Sequence, residues 1–252
     1  MILPPILFGV SLLLIWEASI GAFNVSPVIL PAPSLVFLKF ISSVPILWVD
    51  FVQTFVKGAL SGYIFGCSAA FGVALLADRF KFLERGLLPI GNFMAALPII
   101  GTAPILVRWF GFDWESKSAV VTVMVFFPML INTIQGLQMS DKIHRDLMQT
   151  YNATSFQTLM KLRLAAAMPF IFNGLKICST LALIGAIVAE FFGSPIKGIG
   201  FRISTEVGRF ALDMVWAEIT IAAITGSLFY GGIVLLEKIV TFWHPSQRGR
   251  LE

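Results

Sequence analysis

Residues 146–176 read DLMQTYNATSFQTLMKLRLAAAMPFIFNGLK, from Asp146 to Lys176. This stretch lies between two strongly apolar segments but is itself too polar to cross a bilayer, with Asp146, Lys161 and Arg163 spaced along it. Its apolar residues Phe156, Leu159, Met160, Leu162 and Leu164 recur near the helical period. A segment of this kind predicts one or two short helices on a membrane surface, with an apolar face that needs a partner. On periodicity alone, the plainest reading is an amphipathic loop.

The flanking sequence sets the solvent. Of 252 residues, 57% are hydrophobic and only 13% charged, with a mean hydropathy of +0.87. Soluble domains carry about a quarter charged residues, so the chain reads as an all-α polytopic membrane protein forming a single domain over residues 1–252. Cys67 and Cys178 both sit in apolar runs and predict neither a disulfide framework nor a metal site. The formal charge of +4 reports flanking Lys and Arg, not affinity for nucleic acid. The N-terminus lacks a basic region before its apolar run, which leads to Glu17 and not to a small-residue cleavage site.

A spanning helix needs about 20 largely apolar residues. Six stretches qualify: 2–20, 56–77, 86–110, 118–136, 168–192 and 212–240. Between the first two lies a Pro-rich passage in which Ser34 to Ile41 predicts a short helix capped by Ser34. Gly58, Gly62 and Gly66 line one face of the second stretch, a pattern that lets another helix approach closely and that favours packing within the chain over a dimer seam. Pro89, Pro98 and Pro104 bend the third, and such bends must be buried in protein or line a cavity. Gly193 to Arg209 reads as a glycine-rich loop outside the membrane. With six spans both termini share a side with the 146–176 stretch. That side holds Arg79, Lys81, Arg85, Lys142, Arg145, Lys161, Arg163, Lys238, Arg248 and Arg250, against fewer cations opposite, which predicts a cytoplasmic location for it.

Little chemistry is available to such a chain. There is no Gly-rich phosphate loop ending in Lys-Ser/Thr, so ATP hydrolysis is not expected of it. No cofactor, metal site or catalytic residue is predicted, and His144 and His244 read as solvated residues at membrane edges. Ionisable groups within spans are costly and are functional candidates by default. Glu218 is equally open to structural pairing and to lining a pathway, whereas Lys176 reads as a side chain snorkelling to the membrane edge. Asn92, Asn132 and Asn173 read first as hydrogen-bonding glue between helices. Glu218, Asn132, Pro98 and Pro104 are the candidates for a translocation pathway.

The 146–176 stretch resembles the cytoplasmic coupling loop in the permease subunits of bacterial ABC importers. Their pattern runs Glu-Ala-Ala, a Gly some residues on, then an apolar run into Leu-Pro and Gly-Leu-Arg. Asp146 stands for the Glu, Ala153 to Leu159 for the segment after the Gly, Leu164 to Pro169 for the Leu-Pro run, and Gly174-Leu175-Lys176 completes it. Asn152 replaces the Gly, and Asn tolerates the left-handed backbone that such a turn needs. Leu30-Pro31-Ala32-Pro33 and the run Leu97 to Leu106 followed by Trp109-Phe110-Gly111 are similar to permeases of the nitrate, sulfonate and taurine type.

The resemblance implies the type I importer permease (MetI-like) fold, about six transmembrane helices with a coupling loop at about 141–167. It implies an inner-membrane location, a separate ABC ATPase subunit, an extracytoplasmic solute-binding protein and a second permease copy. Asp146, Asn152, Ala153, Ser155, Phe156 and Leu159 become the expected ATPase contact, with Phe156 its apolar anchor, while Pro169 and Gly174 carry motion into the fifth span. The strings Glu190 to Pro195 and Gly200-Phe201-Arg202 look nearest to the pyrimidine-precursor or riboflavin-like branch, with alkanesulfonate- or nitrate-type anions as the other solute class. The rival readings are a stand-alone proton-coupled carrier relaying through Glu218 or Glu190, and a membrane scaffold without transport.

Overall fold

A backbone in hydrocarbon finds no water to bond, so apolar runs must satisfy their N–H and C=O groups internally. The computed structural model of the chain describes residues 3–95 and 99–242, and every regular element among them is a helix. Five helical stretches there are long and apolar enough to cross a membrane: Leu3–Phe23, Val44–Arg79, Trp114–Gln138, Ser155–Phe191 and Leu212–Val240.

Helix α1 is Leu3–Phe23, and α2 is Pro33–Ser42. The Ser34 cap predicted for α2 is replaced by Ala32 at the cap position with Pro33 opening the helix, a place where its missing N–H costs nothing. Ser34 instead turns to α1, where Glu17 accepts from its amide at 3.0 Å and its hydroxyl at 2.7 Å. The second span starts earlier than hydropathy suggests. It comprises α3 (Val44–Phe51), a π-helical segment (Val52–Leu60) and α4 (Ser61–Arg79). The stretch read as a third span comes as two shorter helices, α5 (Lys81–Ala95) and α6 (Ile99–Phe110), each with an internal proline. Pro98 lies outside the described residues.

Next come α7 (Trp114–Gln138), α8 (Lys142–Thr150) and α9 (Ser155–Thr158). A second π segment, Leu159–Arg163, joins α9 directly to α10 (Leu164–Phe191). The 146–176 stretch is therefore not a pair of short helices throughout, because from Ser155 onward it is one continuous helix with the apolar run that ends at Phe191. The glycine-rich loop expected at 193–209 folds further than predicted, into α11 (Ile199–Gly208), ahead of α12 (Leu212–Val240).

Helix α7 is the hub, packed most extensively against α10 and α4. Val121, Val125, Met129, Leu130, Ile134 and Leu137 of α7 are buried against small residues of its neighbours, including Ala70, Ala74, Cys178, Ala182 and Ala186. Between helices already in lipid, attraction rests on close packing, which small side chains permit. The glycine face of the second span is used within the chain, as expected. A Cβ on Gly62 would stand 2.6 Å from the Ser118 carbonyl oxygen and from Val121 Cβ, and one on Gly66 2.4 Å from Val125 Cγ2. Helix α1 stands apart. None of its described residues is buried, and it is held through Glu17 and by Trp16, whose ring lies 4.8 Å from that of Trp216 at a tilt of 56°.

Candidate functional site

The bundle has two polar ends, one built around the 146–176 stretch and the other around buried carboxylates. At the first end, Asp141 caps α8 by accepting from the Ile143 amide at 3.0 Å. Helix α8 then stops at a turn in which the Asn152 amide donates to the Gln149 carbonyl at 2.8 Å and the Ala153 amide to that of Met148 at 2.9 Å. Asn152 has φ of 52°, the left-handed conformation foreseen for it. The chain restarts with a reciprocal cap. The Thr154 amide donates to Gln157 Oε1 at 2.9 Å, and the Gln157 amide donates to Thr154 Oγ1 at 3.3 Å.

This cap fixes α9 and sets Phe156 on its outer side, 70% exposed. Asp146 and Ser155 are also exposed, Ala153 is half-buried, and Leu159 turns inward to pack on the main core. Behind the coupling stretch lies a recess of about 580 Å³ lined by Asp78, Gln138, Arg145, Gln149, Ser155 and Arg163 among others. Arg163 spans its floor, donating to both Asp78 carboxylate oxygens and, from Nε at 3.2 Å and Nη2 at 3.0 Å, to the Leu137 carbonyl.

The two motif residues further along sit at helix contacts. Pro169 lies inside α10, and Gly174 meets α7, where a Cβ would stand 3.0 Å from Asn132 Cβ. Asn132 accepts from Asn173 Nδ2 at 3.0 Å, the interhelical bond its position predicts, and donates to the Pro128 carbonyl at 2.8 Å. Lys176 does not simply snorkel to an edge, because Glu237 of α12 accepts from it at 2.9 and 3.1 Å. Pro104 is exposed on α6. His144 is exposed and lies 3.7 Å from Asp141; His244 lies outside the described residues.

The opposite end holds groups that the sequence did not single out together. Helix α11 begins at Gly198, whose φ of 121° suits glycine and whose Cβ position falls 2.4 Å from a Glu190 carboxylate oxygen. Its first amides would be orphans without partners from elsewhere. Asp50 accepts from the Gly198 amide at 2.6 Å, Thr54 from Ile199 at 2.7 Å, and Glu190 from Gly200 at 2.7 Å. The Thr54 hydroxyl donates to Glu190, and Arg202 Nε donates to Asp50 at 2.9 Å. Thr54 is presented by the first π segment, so the wide turn serves the junction.

Lys117 was read as lying before its span, yet it is 1% exposed inside α7. It donates to the carbonyls of Phe112 and Gly193, closing the loop over the same end. Glu218, the leading pathway candidate, is fully buried beside this cluster, next to Asp50, Arg202 and Glu190. Asp113, at the lip, caps α7 and accepts from Gln53 Nε2 at 2.8 Å, and that bond above all holds its carboxyl below the usual range. Asp50, Thr54 and Lys117 were missed because the partners that tie them to other elements lie 76 to 152 positions away. Among the described residues no group of His, Cys, Asp and Glu is placed to hold a metal ion.

Comparison with known proteins adds independent information. Residues 62–244 match the family described as binding-protein-dependent transport system inner membrane component. The chain is 30% identical, over 97% of both chains, to the formylaminopyrimidine transport permease protein ThiX of Halalkalibacterium halodurans. It is 27% identical to the riboflavin transport system permease protein RibX of Chloroflexus aurantiacus, over 93% of this chain and 88% of that one. It is 25% identical to the taurine transport system permease protein TauC of Escherichia coli, over 92% and 86%.

Proposed function

The chain belongs to the inner membrane component family of binding-protein-dependent transport systems and is a membrane-embedded permease subunit of an ABC importer; from that premise we propose how it is driven and what it carries. The ATPase grips α8 and α9 from the cytoplasm, with Phe156 seated in a groove of the ATPase and Asp146, Asn152, Ala153, Ser155 and Leu159 shaping or bracing the contact. The observation that carries this reading is a large aromatic side chain, 70% exposed on a rigidly capped turn, whose helix runs without interruption into a membrane span. ATP binding draws the docked turns of two permease copies together, and the spans respond as rigid bodies. A second copy of this chain is the proposed mate, supported by α1, which has no fully buried residue among those described and offers an apolar surface. Both termini face the cytoplasm, in keeping with the Lys and Arg bias.

For the solute we propose a formylaminopyrimidine-like or flavin-like heterocycle delivered by an extracytoplasmic binding protein. The full-length likeness to ThiX supports this, as does the engagement of the intramembrane cations Lys117 and Lys176 by carbonyls and Glu237, which withholds them from small anions. Phe156→Asp places a charge in the apolar groove, and the expected result is loss of ATPase co-purification and of binding-protein-stimulated ATP hydrolysis with normal membrane insertion. Normal coupling in that variant refutes the docking assignment. Separately, the binding protein that co-purifies with the complex should retain formylaminopyrimidine in equilibrium dialysis; retention of taurine instead overturns the solute assignment.

A further inference from the structure

Arg163 makes more bonds at the coupling end than its role as one more flanking cation explains. It is the last residue of the second π segment, and its guanidinium reaches two other elements. One fork takes the Asp78 carboxylate at the end of α4, with Nη1 2.7 Å from Oδ2. The other takes the Leu137 carbonyl in the last turn of α7, one of the acceptors a helix end leaves without an internal partner. A carboxylate in the last turn of a helix opposes the helix dipole. Asp78 therefore gains nothing from its own helix and is stabilised there by the cation. Asp78 and Arg163 are only 16% and 20% exposed, so water screens the pair weakly, and a forked guanidinium fixes orientation as well as distance.

From these contacts we propose that Arg163 is a positioning residue for energy coupling, the joint that makes the start of α10, the end of α4 and the end of α7 move as one body. The inference rests on the docking reading above and deepens it. The helix from α9 into α10 conveys displacement along its own axis, but nothing in that continuity obliges α4 and α7 to follow. The π segment is the weak point, because its wider turn bends more readily than an α-helix. Arg163, fixed to both neighbours where that turn enters α10, delivers the displacement that has passed through it to all three helices together.

The test uses the assembled complex in lipid nanodiscs, with nitroxide labels at the exposed positions Arg79→Cys and Lys161→Cys of the same chain and pulsed electron resonance before and after trapping with ATP and vanadate. The native arginine should give a narrow distance distribution that trapping leaves unchanged. Arg163→Met should let the 79–161 distance change on trapping while basal ATP hydrolysis stays within about twofold, since the capped turn that carries Phe156 is untouched. Arg163→Lys, which keeps the charge without the fork, should give an intermediate change. An Arg163→Met distribution that matches the native one, or one equally broadened with and without nucleotide, overturns the inference and leaves docking intact. Failure of the native chain to capture an ATPase overturns the docking reading and this inference with it.

Discussion

Gly62 illustrates how single residues set the interior of this molecule. Its missing side chain is what brings α4 against α7, and the obstacle to a Cβ there includes the Ser118 carbonyl oxygen, part of a backbone that cannot rotate aside. Gly62→Ala should therefore cost about 1–3 kcal/mol despite the better helix propensity of alanine. Gly72→Ala, on the same helix with nothing within 4 Å of the new Cβ, should be neutral or slightly stabilising. Melting curves of the detergent-solubilised protein will separate the two, and equal Tm values would show that the glycine face is not a contact. This face was readable from the four-residue spacing of Gly58, Gly62 and Gly66. The bonds of Asp50 and Thr54, and that of Lys117 to Gly193, were not, because the partner comes from a segment distant in sequence and no local period announces it.

At the scale of elements, α11 depends on groups it does not own. Three of its leading amides are satisfied by Asp50, Thr54 and Glu190, from the second span and the end of α10. Thr54→Val keeps the volume but removes one acceptor for Ile199 and the hydroxyl donor to Glu190, leaving buried groups unpaired at about 1–3 kcal/mol. Hydrogen exchange at the Ile199 and Gly200 amides should then accelerate at least tenfold while the α7 core amides stay protected. Unchanged exchange would mean that the junction does not hold the helix. Element identity was legible from hydropathy, and element limits were not. Asp50, Gln53 and Lys57 interrupt the apolar run, so the second span seemed to begin at Val56, whereas in the fold Asp50 and Gln53 are buried and bonded, which lets the helix start at Val44. Likewise Lys161 and Arg163 made the start of the fifth span look like a surface loop, although Arg163 is satisfied by Asp78 and Leu137.

For the whole molecule, the decisive question is which end faces which compartment. Tyr151 and Ile196 mark the two ends and are 76% and 81% exposed, and the native cysteines Cys67 and Cys178 are buried. In intact cells a membrane-impermeant maleimide should label Ile196→Cys and spare Tyr151→Cys, with the reverse in inverted vesicles. Labelling of Tyr151→Cys from outside would invert the orientation and remove the basis for ATPase docking at Phe156. The likeness to importer permeases reached from the motif order agrees with the family match over residues 62–244. Composition and motif order carried that much because both are properties of the whole chain. The second copy and the solute are written in surfaces that a lone sequence does not distinguish from lipid-facing ones.

The unbroken helix from Ser155 to Phe191 has a mechanical corollary. At about 1.5 Å per residue its 37 residues measure about 55 Å, and Phe156 and Glu190 sit near its two tips. Phe156, proposed to dock the ATPase, and the carboxylate that anchors α11 are thus opposite ends of one rod, whose irregular places are the wide turn at 159–163 and the proline at 169. A stroke delivered at one tip should reach the other with little backlash, so the far-side clasp opens in step with the engine rather than after a delay.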